Sequence, residues 1–408
     1  MREQIKKAVL AEEEIMIKNR RFLHMHPELS FHEKGTMDYI CSFLEQNGIA
    51  FQKGIAQYGV VACIEGRSPG RCVALRADMD ALPMTEENEQ SYISQNKGIM
   101  HACGHDGHTA ILLSVCKILH DMREHFAGTV KCIFQPGEET TGGAKPMIDE
   151  GVLDNPKVDV CAALHMDAEL ETGKMRIKPG SMYASPDDFE IEIIGKGGHG
   201  AEPHRCVDPI LTAAQIVMQL QSIVSRSLNP FEQAVVTVGS IHGGDATNII
   251  PNRVKITGTA RAMTEEVRDL LRVRIEEITK SICAATGANY RYEFIKLYPP
   301  LINHEQVTQD IYAAAEECLG KKSCIYGGEA TMAGEDFAYF AKEVPAALFK
   351  LGCANKKKGI IYPIHSTKFD IDESCLKYGA MIFLNFVLRF LDQSQEALIC
   401  NNSNADCQ

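Results

Sequence analysis

Between Met100 and His108 the chain reads Met-His-Ala-Cys-Gly-His-Asp-Gly-His. Four metal-capable side chains, His101, Cys103, His105 and His108, stand two or three residues apart, and Gly104 and Gly107 let the backbone turn between them. Borderline-soft cations such as zinc take imidazole and thiolate together. A structural zinc knot is the plainer use of such residues, but it needs a second cysteine-rich half, and no Cys-x-x-Cys occurs in the chain.

A second group follows in Phe134-Gln-Pro-Gly-Glu-Glu-Thr140, directly after a strand-like run. Adjacent carboxylates point in different directions, so one of Glu138 and Glu139 can bind metal while the other holds a water, the division of labour that metal-assisted hydrolysis requires. The alternative is a solvated pair at a helix start, where the helix dipole favours acids. The placement just past a strand of an α/β sheet, where such sheets put their active sites, favours the chemical reading. His165, after Val-Cys-Ala-Ala-Leu, and His365, in Tyr-Pro-Ile-His-Ser, are weaker single signals. Asp78 and Asp80 add carboxylates at the same edge, past the run Cys72–Arg76, and Asp78 is expected to take part in catalysis.

Farther along, Gly197-Gly-His-Gly-Ala-Glu-Pro-His204 is a glycine-rich turn carrying His199 and His204, with Asn248 and Arg261 beyond it. A tight turn, a turn cap and a surface charge would account for them structurally. The catalytic alternative is a small domain that brings hydrogen-bond donors over a metal centre.

The elements that must position these residues alternate. Helical periodicity covers Lys6–Leu23 and Thr36–Asn47, β-rich runs cover Val60–Ile64, Cys72–Arg76, Thr129–Phe134 and Val158–Leu164, and an amphipathic helix spans about His108–Met122. This order implies an α/β domain with a mostly parallel sheet. After Pro179 it changes to strand (Phe189–Ile194), helix (Asp208–Ser225), strands (Ala234–Ile241 and Arg253–Ala260), helix (Glu265–Thr286) and strand (Tyr290–Phe294). That β-α-β-β-α-β order is the split unit of a ferredoxin-like domain. The first pattern resumes after Tyr298-Pro-Pro300 and ends in a helix over about Asp372–Leu391. The expected organisation is a catalytic domain over 1–182 and 297–408 with a lid inserted at 183–296.

Composition narrows the function. At 408 residues, with 45% apolar and 24% charged residues, the chain has material for two cores. Its 42 basic and 54 acidic residues give a net charge of −12, with no basic stripe, which argues against a nucleic-acid partner. Glu12, Glu13 and Glu14 stand where a signal peptide would be apolar, and the run Gly379–Leu391 is short and broken by Asn385 and Arg389, so neither export nor a membrane span is expected. Fifteen scattered cysteines fit free thiols in a reducing compartment, so a cytoplasmic location is expected.

Arg76-Ala-Asp-Met-Asp-Ala-Leu-Pro83, His101–His108, Gln135–Glu139, Gly197–His204, Thr247-Asn-Ile-Ile-Pro251 and Gly334-Glu-Asp-Phe337 together resemble the amidohydrolase branch of the co-catalytic metallopeptidases. That branch includes hippurate hydrolases, aminoacylases and auxin-conjugate hydrolases. The resemblance runs from about Leu23 to Leu391 and implies a metallo-aminopeptidase-like fold. It also implies that Cys103, His105, Glu139, His165 and His365 hold two divalent cations per subunit, manganese or zinc, with nickel or cobalt as further options. Glu138 then corresponds to the general base. His199 corresponds to an oxyanion donor reaching a partner subunit through a dimerising lid, and Asn248 and Arg261 to groups that bind the substrate carboxylate. The implied reaction is amide hydrolysis of a small N-acyl amino acid. Departures at Gly334 and at Ser366-Thr-Lys-Phe369 flank the site and bear on substrate preference. A dipeptidase or carboxypeptidase of the same family is the nearest alternative, and a metal- or redox-sensing protein a more distant one. A sensor would need neither Glu138 beside Glu139 nor a lid.

Overall fold

The computed structural model describes residues 2–405, with side chains through Asp392. The chain divides into two compact units, one comprising residues 1–180, 303–328 and 339–408 and the other residues 181–302 and 329–338.

The first unit opens with helices α1 (Arg2–Met25) and α2 (Lys34–Gln46) and strands β1 (Phe51–Ile55), β2 (Gly59–Glu65) and β3 (Cys72–Asp78). Helix α3 (His105–Asp121), strand β4 (Thr129–Gln135), the short helix α4 (Ala144–Asp149) and strands β5 (Val160–Glu171) and β6 (Met175–Ile177) follow. Strand β7 (Gly180–Tyr183) leads out of the unit.

The second unit contains β8 (Ser185–Ile194), β9 (Gly198–His199), α5 (Pro209–Leu220), β10 (Ala234–His242), β11 (Ile249–Ile250), β12 (Arg253–Ala262), α6 (Glu265–Thr286) and β13 (Asn289–Ile295). After β14 (Leu301–Asn303) the first unit resumes with α7 (Glu305–Leu319), β15 (Cys324–Tyr326), α8 (Ala338–Glu343), β16 (Ala346–Ala354) and α9 (Leu376–Ala405).

In the first unit eight strands form one sheet in the order β1-β2-β4-β3-β5-β16-β6-β15. The middle four, β4, β3, β5 and β16, are parallel neighbours, while β1 with β2, β2 with β4 and β16 with β6 pair antiparallel. Strand β3 is buried along its whole length, as a parallel strand covered on both faces must be. Val73, Leu75, Val130, Cys132 and Phe134 pack with Ile111, Leu112 and Val115 of α3 and Leu384 and Val387 of α9 in one core. The sheet is mixed, largely parallel and flanked by helices. Glu373–Asp392 is long and apolar enough to cross a membrane by length and composition, and 78% of it is buried in the fold, so core packing accounts for its apolarity.

Two boundaries and one further strand differ from the sequence expectation in ways that bear on the site. Helix α3 starts at His105 rather than His108, because Gly104, at φ 94°, turns the chain directly into it. Strand β5 runs on to Glu171, so His165 lies inside a strand rather than after one. Strand β16, flanking β5, is apolar on both faces, and its run Ala-Ala-Leu-Phe-Lys-Leu-Gly-Cys-Ala carries no alternation to mark it as a strand.

The second unit has a four-stranded, wholly antiparallel sheet in the order β10-β12-β8-β13. Phe189, Ile191 and Ile193 alternate along β8 toward a core shared with Ile216 and Leu220 of α5 and Leu271, Ile275 and Ile278 of α6. Asp187, buried in β8, takes a paired contact from Arg268 of α6 at 2.6 and 2.7 Å. Asp208 caps α5 by accepting from Ile210 N, and Thr264 caps α6 by accepting from Val267 N.

Candidate metal centre

The parallel strands deliver the site at their carboxyl ends. Asp78 closes β3 and Gln135 closes β4, and Arg76 binds both, through Nη1 to Asp78 Oδ2 and through Nε to Gln135 Oε1, each at 2.8 Å. The first turn of α3 then presents His105 and His108 three residues apart, on one helix face.

Cys103, His105, Glu139 and His165 meet within the first unit, with His365 at the rim. The thiol of Cys103 lies 3.4 Å from His165 Nε2. Glu139 Oε1 lies 3.3 Å from His365 Nε2 and 3.9 Å from His105 Nε2. Two triads result, Cys103–His105–His165 and Cys103–Glu139–His365, each with donor atoms within 4.8 Å of one another and the two joined at Cys103. Glu138, buried, completes a further triad with His105 and Glu139.

Hydrogen bonding prepares the imidazoles. His105 Nδ1 donates to the carbonyl of Asp80 at 2.9 Å, leaving Nε2 facing the centre, buried and without a hydrogen-bond partner. His165 Nδ1 likewise donates to Met166 O at 2.8 Å, turning its Nε2 toward Cys103. This is the arrangement in which an outer partner fixes the tautomer of a metal-binding histidine. Glu139 Oε1 is also buried without a hydrogen-bond partner. Unpartnered Nε2 and carboxylate oxygen atoms converging on a thiol are costly unless something binds them, and a divalent cation fits that donor set. The cluster is that of a dinuclear divalent metal centre.

His108 is a different case. Its Nδ1 donates to Asp78 Oδ1 and its Nε2 accepts from Met166 N at 2.9 Å, so both nitrogens are committed. It braces the site from behind, and of the four metal-capable residues in the motif only Cys103 and His105 point into the centre. His101 is buried with both nitrogens unpartnered, and burial drops its pKa to about 4, so it is neutral.

The electrostatics are consistent with a site built for cations. Burial pushes the Cys103 thiol well up, and Glu139 adds to the effect, so ionising it calls for a positive charge. Burial also disfavours the charged form of His165, as does Lys350 beside it. For Asp78 burial opposes ionisation, but His105, Arg76 and His108 outweigh it and hold the carboxyl well below the usual range. His365 sits at φ 62°, a left-handed conformation rare for a non-glycine residue, held by its N–H donating to Ala102 O at 2.8 Å. Its side chain is half exposed, which makes it the open edge of the centre.

Glu138 and Glu139 lie in the turn after β4, ahead of α4, which starts at Ala144, so the pair is not a helix-start decoration. Asp80 carries two links that no motif spacing showed. Its Oδ2 accepts from Glu139 N at 3.0 Å and from Ser30 Oγ at 2.6 Å. In the second unit Gly200 N donates to Asn248 O, and Ile249 is paired with His199, so His199 and Asn248 are neighbours. Arg261 lies on β12, opposite Val235 of β10 and Pro186 of β8.

The family model for peptidase family M20/M25/M40 matches residues 74–389, a stretch holding every candidate metal ligand. The chain belongs to this family. It is similar, at 38% identity over 95% of its length and 98% of the relative, to thermostable carboxypeptidase 2 of Saccharolobus solfataricus. To the N-acetyl-L-cysteine deacetylase of Bacillus subtilis it is 38% identical, covering 95% of this chain and 91% of the relative. Among solved structures, the Bacillus subtilis YXEP protein, a dinuclear metal binding peptidase of the M20 family, superposes with a TM-score of 0.82 at 32% identity, covering 94% of this chain and 99% of that one. Family, fold and donor set make this M20 chain a metal-dependent hydrolase.

Proposed function

We propose that this enzyme hydrolyses the amide bond of N-acyl amino acids, releasing a carboxylic acid and a free amino acid. The observation that carries the reading is the pair of buried triads joined at Cys103, with the carboxylate of Glu138 beside them. In this reading Cys103, His105, Glu139, His165 and His365 hold two divalent cations, manganese or zinc. A bound cation supplies Lewis acidity and a water whose pKa falls from about 15.7 to roughly 7. Glu138 would take a proton from the attacking water and deliver it to the leaving amine. Asp78 takes part by holding His108 and Arg76 behind the ligands.

The second unit is read as a ferredoxin-like lid over 183–296, inserted between catalytic segments 1–182 and 297–408. Its strand order and its two helices packed against one core support this. We place a homodimer contact on the lid. Exposed Ile210, Leu211, Met218 and Phe231 support it, Phe231 being 94% exposed. His199, exposed on its turn, would serve as the oxyanion donor to a partner's site, with Asn248 and Arg261 binding the substrate carboxylate. The expected location is the cytoplasm.

The similarity to a carboxypeptidase favours one second reading, cleavage of peptides at a C-terminal residue. A panel of N-acetyl and N-benzoyl amino acids beside dipeptides with free α-amines, assayed with and without chelator, separates the two. Chelator-sensitive release confined to the blocked substrates supports the amidohydrolase, and release confined to dipeptides overturns it. Glu138→Gln should retain both cations and lose at least about 10²-fold in kcat, and full activity in that variant would remove Glu138 as the base.

A further inference from the structure

Glu33 stands at the N-cap of α2, yet its side chain makes no cap hydrogen bond. The open amides of that helix are met instead by Glu28, whose carboxylate accepts from Gly35 N at 2.9 Å and Thr36 N at 2.7 Å. Glu33 turns away into the protein, where it is fully buried, and its Oε1 accepts from the backbone N–H of Gly137 at 2.8 Å. Its other oxygen, Oε2, is buried with no hydrogen-bond partner.

Gly137 N and Glu139 N flank Glu138 on either side. Glu33 holds the first and Asp80 Oδ2 holds the second, at 3.0 Å. With the peptide groups planar, fixing these two N–H groups brackets only four backbone dihedrals, those of Gly137 and Glu138. The restraint is needed because Gly137, at φ 68°, is conformationally the freest point of the turn. The Phe31 ring closes over Gly137 so tightly that a Cβ there would lie 2.5 Å from it, and Phe31 is itself in the left-handed region at φ 58°. Ser30 Oγ donates to the same Asp80 oxygen at 2.6 Å, so the segment from Ser30 to Glu33 grips both clamps.

We propose that Glu33 is a positioning residue for Glu138: together with Asp80 it clamps the turn so that the Glu138 carboxylate is presented at a fixed place beside the metal ligands. The proposal rests on the reading of Glu138 as the base.

The test is a double-mutant cycle in the full-length, manganese-loaded enzyme, with cation content measured on each variant and amide exchange of Gly137 followed in the metal-free protein. Glu33→Ala is expected to lower kcat by about 10- to 100-fold, the scale of a 1 Å misplacement. KM should stay within about threefold, two cations should remain bound, and Gly137 exchange should accelerate. Glu33→Gln, which keeps an acceptor for Gly137 N, should recover most of the lost kcat. In a Glu138→Gln background Glu33→Ala should cost less than about threefold, because the two act through one step. Wild-type kcat in Glu33→Ala, or its full cost in the Glu138→Gln background, overturns the proposal. If Glu138→Gln alone keeps its activity, the base assignment has failed instead, and the Gly137 exchange rate still decides whether Glu33 holds the turn. Should Glu33→Ala not fold, Glu33→Asp withdraws the acceptor by one methylene and keeps the charge. The same kcat loss is expected there, and an unchanged kcat counts against the clamp.

Discussion

The guanidinium of Arg20 on α1 donates through Nε to Asp106 Oδ2 at 2.8 Å, and both side chains are cut off from solvent. Asp106 follows His105 directly, so this contact anchors the first turn of α3 from the side away from the metal centre. Arg20 Nη2 also reaches Asp370 Oδ1 at 2.7 Å, and His24 shares the Asp106 oxygen at 2.8 Å. Burial works against the charge of Arg20, but Asp106 and Asp370 more than compensate and raise its pKa. Arg20→Ala leaves two carboxylates buried without their cation and is expected to cost about 3–5 kcal/mol in denaturant unfolding. Arg20→Lys should recover only part of this, because one ammonium cannot reproduce the fork. A loss under about 1 kcal/mol would show that the network is not what secures α1 to α3.

Two histidines at the centre, His365 and His108, should separate on mutation. His365 is half exposed at the edge of the centre, whereas His108 is buried with both nitrogens bonded. His365→Ala is therefore expected to lower bound metal below two cations per chain while leaving the metal-free unfolding midpoint within a degree or two. His108→Ala should leave Asp78 Oδ1 without its imidazole partner and cost about 2 kcal/mol or more. Metal analysis alongside thermal unfolding checks both, and loss of metal without loss of stability in His108→Ala would reassign it as a ligand.

Metal removal has a signed pH dependence. Burial, and Glu139 beside it, keep the Cys103 thiol protonated in the metal-free protein, so a cation that binds the thiolate must displace a proton. Metal affinity should fall as pH falls, and titration in weak buffer should show proton release that Cys103→Ala reduces. Chelation should also lower the unfolding midpoint, since saturation a thousandfold above Kd is worth about 4 kcal/mol. Proton release that is unchanged in Cys103→Ala would take the thiol out of the donor set.

Much of this was legible in the sequence, and the exceptions have physical causes. Spacing alone singled out Cys103, His105, Glu138 and Glu139 and put the two glutamates just past a strand, because each motif is contiguous and carries its own glycine turn. Spacing could not tell His105 from His108. Only the start of α3 at His105 and the bonds at each ring nitrogen show that one faces the cluster and the other faces Asp78 and Met166. Arg20, Glu33 and Asp80 act through partners between 25 and 350 positions away, and nothing local marks such contacts. Strand β16 escaped notice because a strand buried on both faces has lost the alternation that identifies one.

Glu33 gives a pH dependence of opposite sign to that of an ordinary carboxylate. Burial, and then the charge of Asp80, raise its pKa from 4.5 to about 7 in the metal-free protein. The folded state therefore binds this proton more tightly than the unfolded chain does. Its contribution to stability is complete below pH 4.5 and is lost as pH rises through about 7. At roughly 1.4 kcal/mol per pH unit the change across that window is on the order of 3–4 kcal/mol. Glu33→Gln, which does not titrate, should remove this slope, so the difference in unfolding free energy between variant and wild type should grow between pH 5 and about 7 and then level off. Parallel curves over that range would mean that Glu33 stays ionised in the fold.

The turn glycine supplies the sharpest steric test. Gly137 sits at φ 68°, where a side chain is strained, and an added methyl would lie 2.5 Å from the Phe31 ring. Phe31 cannot retreat freely, because its own backbone is in the left-handed region and its neighbours Ser30 and Glu33 are tied to Asp80 and Gly137. Gly137→Ala is expected to cost about 1–3 kcal/mol of stability through strain. It should also lower kcat by about 10-fold or more by moving Glu138, with KM little changed. Trimming the ring in a Phe31→Ala, Gly137→Ala double variant relieves the clash but not the φ strain, so partial recovery of kcat is expected. Full activity in Gly137→Ala alone would mean that the turn tolerates a displacement of this size, and that the place of Glu138 is set elsewhere.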